Sequence, residues 1–296
     1  MRKMNLLPIV GAILLLLVIG PTPVLADTST GRTDLDGVKV AIWGETTNMV
    51  VSSGIALYAM FEWMNATVEW IYGEDVKAGD LSGFDILAMP GGQISSYYNA
   101  LDDSGMENIR QWIADGGSYF GICGGALLAA ASRRFGIYNG SYSLVVPGDY
   151  FSLAVVEMNV NTTCDGPKLS DLPATFQTLY WGSSYFIPDE GFDYIPLARY
   201  AEGNGPGMIA FEYQQGNAFL SSPHPEYEEE SARDGTDEFD EYTDLDSEWE
   251  FLLRVAVWQV ESSMPDESQA DIMLFGLVAI GLAAVVVVVI AVLRKR

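Results

Sequence analysis

One cysteine lies in a sequence that is typical of an enzymatic nucleophile. Cys123 is at the centre of a Gly-Ile-Cys-Gly-Gly run, between a predicted strand at residues 118–122 and a predicted helix at 126–132. A sharp turn from strand to helix exposes a thiol at the carboxyl end of a sheet, and glycines leave room for that turn. The helix N-terminus also favours the thiolate. A buried structural cysteine beside packing glycines is the alternative, and the local sequence alone supports both.

The single histidine of the chain is followed two positions later by a carboxylate. His224 and Glu226 come directly after a predicted strand at residues 217–221. Residues i and i+2 of an extended segment face the same side, so the two side chains can share one site. A base oriented by a carboxylate is the activation that a catalytic thiol needs. An isolated histidine is ordinarily a surface or core residue, but this one follows the Cys123 motif by about one hundred residues, which favours a shared site.

A glycine pair offers backbone donors to the same site. Pro90-Gly91-Gly92-Gln93 follows the predicted strand at residues 84–89. The end of this strand can face the same crevice as Cys123, so the amides of Gly92 and Gly124 are candidates for an oxyanion hole around a tetrahedral intermediate. A plain Gly-Gly turn is the alternative for this loop.

The elements around these motifs alternate between strand and helix. Strands are predicted at residues 38–43, 67–72, 84–89 and 118–122, and helices at 48–65, 105–114 and 126–132. This alternation with short loops is the mark of a parallel sheet covered on both faces. We therefore predict an α/β fold, a three-layer sandwich with a mainly parallel central sheet. Later segments are predicted as strands at 153–160 and 194–200, a hairpin of 208–213 with 217–221, and a closing helix at 249–260.

Together these motifs resemble the class I glutamine amidotransferase superfamily, whose members carry a glycine-rich oxyanion loop, a Gly-x-Cys-x-Gly elbow and a late His-x-Glu. Four features are most similar to the branch named after the N-terminal region of biotin-protein ligases. They are the Pro-Gly-Gly-Gln loop, the Gly-Ile-Cys-Gly-Gly-Ala elbow, Asp165-Gly166-Pro167 and the Ser-Pro-His-Pro-Glu run that ends at Glu226. The resemblance covers about residues 37–260 and implies a flavodoxin-like, class I amidotransferase-like sandwich.

The resemblance also implies a role for each candidate residue. Cys123 would be the nucleophile, His224 the general base and acid, and Glu226 the carboxylate that orients the base. Gly92 and Gly124 would supply the oxyanion amides. No cofactor and no metal are expected.

The substrate is left open by these motifs, because a fold analogy does not carry a reaction. We expect no synthetase domain in the chain. The first hypothesis is an extracytoplasmic, membrane-anchored enzyme that hydrolyses or transfers an amide or acyl group of an unknown small-molecule or peptide substrate. The alternative is a catalytically silent amidotransferase-like domain that binds a ligand or a surface partner.

The two ends of the chain predict export and a membrane anchor. Residues 1–26 have the basic, apolar and small-residue regions of a signal peptide, with an uncleaved anchor as the alternative. Residues 272–293 are uncharged and long enough for a transmembrane helix, and 294–296 are basic, as expected of a cytoplasmic tail. A processed sorting signal is the alternative there. Residues 27–263 form the predicted amidotransferase-like domain, and 264–271 a linker.

The charge balance excludes one class of partner. The formal net charge is −25, so we expect no nucleic-acid binding. Residues 227–250 are strongly acidic and are predicted to be an exposed loop. A cation site there is an alternative, but the regular spacing of a calcium loop is missing, which favours a solvated charge run. A bridge between Cys123 and Cys164 would abolish the nucleophile, and we expect none.

Overall fold

The computed structural model describes residues 31–47, 49–131, 135–144, 153–228, 231–244 and 246–263. Eleven strands are described: β1 Lys39–Trp43, β2 Thr67–Ile71, β3 Ile86–Met89, β4 Ser118–Ile122, β5 Gly140–Leu144, β6 Leu153–Val160, β7 Thr175–Trp181, β8 Ser184–Pro188, β9 Ile195–Tyr200, β10 Pro206–Tyr213 and β11 Gly216–Ser221. The α-helices are α1 Val51–Trp63, α2 Gly73–Ala78, α3 Ile94–Ala114, α4 Gly124–Ala131 and α5 Trp249–Ser263. Helix α3 is interrupted at Asp102, whose backbone is not helical.

Nine strands form one large mixed sheet in the order β2-β1-β3-β4-β11-β10-β9-β6-β7. Strands β2, β1, β3, β4 and β11 are parallel to one another. The other pairings are antiparallel. The prediction of a mainly parallel sheet is therefore wrong. The physical reason is that β10 returns to β11 by a tight turn, and such a connection reverses the strand direction, whereas a parallel pair needs a longer crossover.

Helices cover both faces of the parallel half, whose strands β1, β3 and β4 are almost entirely buried. Val40 and Ile42 of β1 pack in one core with α1 and α5. Ala41 and Trp43 of the same strand pack in a second core with α2, α3 and α4. Successive side chains of a strand point to opposite faces, so a continuous apolar run such as β1 must be covered twice. The separate pair β5–β8 adds Phe186 to the second core.

The predicted transmembrane helix needs correction. Among the described residues, no helix is long and apolar enough to cross a membrane. The segment predicted to do so, 272–293, lies outside the described residues, as do the predicted signal peptide at 1–26, the linker at 264–271 and the tail at 294–296. The described fold is therefore α/β with a large mixed sheet.

The acidic segment 227–250 is partly buried, which corrects the prediction of an exposed loop. Tyr227 and Phe239 pack with Ala56 and Leu179 in a small apolar cluster. Among the described acids of this segment, Asp234, Asp244 and Glu248 are also buried.

Candidate functional site

Cys123 occupies a strained turn between β4 and α4. Its φ is +45°, in the left-handed region that residues with a Cβ atom seldom adopt. The glycines beside it are required by close approach: a Cβ at Gly124 would lie 1.9 Å from the carbonyl oxygen of Gly92, and one at Gly125 would lie 2.2 Å from that of Met89. The predicted sharp strand-to-helix turn is confirmed, and its thiol is partly exposed.

Strand β11 brings His224 to this turn. It pairs in parallel with β4, with Ser221 opposite Ile122, and the Cys123 N–H donates to the Ser221 carbonyl at 2.7 Å. The backbone of His224 is then fixed by β7, because its N–H donates to the carbonyl of Leu179 at 2.9 Å. Two neighbouring strand ends thus carry the cysteine and the histidine.

His224 and Glu226 form a hydrogen-bonded pair that is completely buried. Nδ1 of the imidazole lies 2.9 Å from Oε1 of the carboxylate, and both side chains are inaccessible to solvent. Nε2 is the other ring nitrogen, and it has no hydrogen-bond partner among the described residues. The carboxylate therefore fixes the orientation of the ring.

Electrostatics favour the protonated imidazole. Burial by itself lowers the pKa of His224, but the carboxylate of Glu226 and the negative charge of a Cys123 thiolate outweigh burial and raise the pKa to about 10. At neutral pH the arrangement thus favours the imidazolium form of His224.

Ser53 is a further member of the site that sequence reasoning missed. Its Oγ donates to Glu226 Oε1 at 2.6 Å and accepts from the Gly91 N–H at 2.9 Å, and the residue is fully buried. Ser53 therefore connects the carboxylate to the glycine loop. The only signal in the sequence was a Ser-Ser pair near the start of a largely apolar predicted helix.

The glycine loop lies against both the histidine and the elbow. A Cβ at Gly91 would lie 2.7 Å from Cε1 of His224, so only glycine fits there without a shift. The Tyr97 hydroxyl donates to the carbonyls of Pro90 and Gly91, at 2.8 and 2.9 Å, and holds the loop in place. The Gly92 and Gly124 N–H groups donate no hydrogen bond to another described residue.

Comparison with known proteins identifies relatives of this chain. The family model described as the N-terminal region of biotin-protein ligase matches residues 82–150, which include the glycine loop and the elbow. A biotin–protein ligase of Schizosaccharomyces pombe is 23% identical over 167 residues. The pyridoxal 5'-phosphate synthase subunit PdxT of Corynebacterium jeikeium is 29% identical over 163 residues. The chain is a relative of the biotin-protein-ligase N-terminal and class I amidotransferase-like proteins.

This relationship confirms the resemblance predicted from the motifs, but the matches are partial. The alignment with the ligase covers 50% of this chain and 26% of the ligase, and that with PdxT covers 52% and 76%. An uncharacterised protein of Chlamydia muridarum, 29% identical, is matched over 48% of this chain and 60% of its own length. The chain thus covers less than two thirds of the first two of these curated relatives, the Chlamydia and S. pombe proteins.

Solved structures share the fold of the amidotransferase-like domain at low sequence identity. A cytoplasmic protein of Salmonella typhimurium LT2 has a TM-score of 0.50 and 11% identity, over 74% of this chain and 98% of that protein. A ThuA-like protein of Bacteroides uniformis has a TM-score of 0.50 and 12% identity, over 81% and 94%. These similarities concern the fold alone.

A cleft of about 900 Å³ opens over the candidate residues of the amidotransferase-like domain. Cys123, His224, Gly92 and Gly124 all contribute to its lining. Apolar and aromatic side chains supply much of the rest. They are those of Met49, Val50, Ile94, Leu127, Tyr142 and Trp181. The cleft is large enough for a small molecule or a side chain of a peptide.

Cys164 is separate from this cleft, and both cysteines are free thiols. It lines a different cavity, of about 840 Å³, together with Asp165 and Asp193. Burial raises the pKa of the Cys164 thiol, and its Sγ donates to the Pro167 carbonyl at 3.5 Å. Cys164 therefore lacks the basic neighbour that Cys123 has in His224.

Proposed function

We propose that this chain is a cysteine-dependent, amidotransferase-like enzyme that hydrolyses or transfers an amide or acyl group. Cys123 is the nucleophile, His224 the general base and acid, and Glu226 the orienting carboxylate. The observation that carries the proposal is the fully buried His224–Glu226 hydrogen bond of 2.9 Å, formed beside the strained Cys123 turn. A histidine buried beside a carboxylate costs desolvation, and a need for a positioned base accounts for that cost.

The reaction begins with attack by the Cys123 thiolate on the substrate carbonyl carbon. As the C–S bond forms, an electron pair moves onto the carbonyl oxygen, and the N–H groups of Gly92 and Gly124 would donate to that oxyanion. When the intermediate collapses, the bond to the leaving amine breaks and imidazolium His224 donates its proton to the amine. The product is a thioester on Cys123 and a neutral imidazole.

The second half of the reaction releases the acyl group. Neutral His224 takes a proton from water, or from another acceptor that enters the cleft, and this nucleophile attacks the thioester. Cys123 leaves as a thiolate and His224 is again the imidazolium. Glu226 keeps the ring in one orientation through both halves, since it is hydrogen-bonded to Nδ1 and itself held by Ser53.

The substrate class is supported by the relationship and by the cleft. The class I amidotransferase-like relatives favour an amide. The described lining contains uncharged polar side chains beside its apolar ones, among them Gln93, Ser95 and Ser96. An uncharged amide or acyl group fits this lining, because it can hydrogen-bond to the polar side chains without losing the hydration of a charge.

Acylation by p-nitrophenyl acetate tests this proposal on the full chain. We expect a burst of about one equivalent of p-nitrophenolate and an acetyl group on Cys123, located by peptide mass spectrometry. His224→Ala should slow the burst by about 100-fold or more, since general acid–base catalysis contributes that much. Glu226→Gln should slow it less, because the imidazole remains.

Cys164→Ala is the matched control, because it removes the other thiol without touching the cleft. It should leave the burst unchanged. Equal acetylation of both cysteines, or a burst that His224→Ala does not slow, would exclude the enzyme and favour the silent binding domain.

A further inference from the structure

Three carboxylates converge just before helix α5, outside the cleft. Asp244, Asp246 and Glu248 occupy alternate positions, and one carboxylate oxygen of each lies within 4.8 Å of those of the other two. Asp246 is exposed, whereas Asp244 and Glu248 are only 5% and 1% exposed. Acidic side chains are seldom fully buried, so Asp244 and Glu248 differ from the solvated acids around them.

Asp244 gives an independent indication that a ligand belongs here. Its Oδ1 accepts from the Asp246 N–H at 3.3 Å, but its Oδ2 is buried and has no hydrogen-bond partner among the described residues. No described basic side chain forms an ion pair with Asp244 or Asp246. Burying a carboxylate oxygen without a hydrogen-bond donor is unfavourable in free energy, and a bound cation would offset that cost.

We propose that Asp244, Asp246 and Glu248 bind a divalent cation, and that the cation is Ca²⁺. All three ligands are carboxylate oxygens, which hard cations prefer, while the nitrogen and sulfur ligands typical of zinc are absent from the cluster. Ca²⁺ accepts six to eight oxygens in irregular geometry, whereas Mg²⁺ demands a near-ideal octahedron. A small cavity of about 120 Å³ beside Asp246 and Glu248 has room for water to complete the shell.

The cation would stabilise the segment that connects Glu226, the proposed orienting carboxylate, to helix α5. Trp249 follows the cluster directly, and its Nε1–H donates to the Glu226 carbonyl at 3.0 Å. Ser247, inside the cluster, donates through Oγ to Glu228 Oε1 at 2.6 Å. Cation binding therefore stabilises this segment whether or not Cys123 is catalytic, and its test is independent of the acylation experiment.

Calorimetric titration of the EDTA-treated, dialysed full chain with CaCl₂ in 150 mM NaCl tests the proposal. We expect a saturable site with one Ca²⁺ per chain, weaker binding of Mg²⁺, and a melting temperature that rises by about 5–10 °C when free Ca²⁺ is 100-fold above its Kd. The salt suppresses loose attraction of cations to the acidic surface.

Two double variants with the same charge change make the test specific. Asp244→Asn with Glu248→Gln should abolish both the binding heat and the rise in melting temperature. Asp237→Asn with Glu241→Gln, at exposed positions of the same segment, should retain both. No saturable binding to the unaltered chain, binding of Mg²⁺ at least as tight as that of Ca²⁺, or equal binding by the two double variants would overturn the proposal.

Discussion

Ser53 connects two parts of the candidate site that are far from it in the sequence. Its hydroxyl joins the Glu226 carboxylate to the Gly91 amide inside a fully buried environment. In the proposed mechanism, Glu226 positions His224 and the loop of Gly91 supplies an oxyanion donor. One hydroxyl therefore fixes the positions of both the base and the oxyanion loop in this mechanism. Ser53 is thus a positioning residue.

Ser53→Ala should lower the free energy of unfolding by about 1.5–3 kcal/mol, because a hydrogen bond to a charged group is lost and the buried Gly91 N–H is left without its acceptor. The rate of Cys123 acetylation should fall with it. Ser52→Ala is the matched control, since that hydroxyl pairs with the Tyr227 hydroxyl at 2.8 Å in a half-buried position. Denaturant unfolding and the p-nitrophenolate burst measure the two effects. Equal effects of the two substitutions would contradict the assigned role.

The candidate residues could be predicted from sequence because their chemistry is local. Cys123 stands among glycines, and His224 stands two positions before Glu226, so each motif is visible in a few consecutive residues. Ser53 has no such motif. Its partner Glu226 is 173 positions away, and only the folded sheet brings the two together. A contact between residues so far apart in the sequence cannot be predicted from the spacing of neighbouring residues.

At the scale of the elements, the strand-to-helix turn and the glycine loop touch backbone to backbone. This contact is what the glycines permit, since a Cβ at Gly124 would lie 1.9 Å from the Gly92 carbonyl oxygen. The elbow and the loop are therefore one unit. Any side chain in place of Gly124 must displace the glycine loop from Cys123.

Gly124→Ala should destabilise the chain by about 1–3 kcal/mol, as overpacking of a close contact does, and it should abolish acetylation of Cys123 because the loop is displaced. Gly83→Ala is the matched control: that glycine has no positive φ and no atom within 4 Å of an added Cβ. Thermal unfolding and the burst assay compare them. Wild-type acetylation in Gly124→Ala would contradict the proposed use of the Gly92 and Gly124 amides.

The strands of the parallel half of the sheet could be predicted from the sequence, and those of the antiparallel half could be predicted in part. Apolar runs between glycines and prolines predicted β1, β3 and β4, and the hairpin of β10 and β11 is confirmed. Strands β5, β7 and β8 were missed, because their polar and aromatic residues do not form the clear apolar runs of buried strands. The order of the strands in the sheet could not be predicted either. Strand β6 pairs with both β7 and β9, and no local sequence pattern predicts these pairings.

At the scale of the whole molecule, strand β11 joins two differently built halves of the sheet. It is parallel to β4 on one side and antiparallel to β10 on the other. This position puts the end of β11 beside the end of β4, and so His224 beside Cys123. The antiparallel half then contributes β7, whose Leu179 holds the backbone of His224. The titration of His224 thus reports on the assembled fold.

The most direct test is the titration of His224 by NMR in the full, untagged chain, where the single histidine makes the imidazole signal unambiguous. We predict a pKa raised to about 10, so that the imidazolium persists at neutral pH and is lost only as the pH rises through that value. Cys123→Ala and Glu226→Gln should each lower it, because each removes a negative charge that holds the proton. A native-state pKa near the ordinary 6.5, or a pKa that Cys123→Ala leaves unchanged, would contradict the proposed Cys123–His224–Glu226 site.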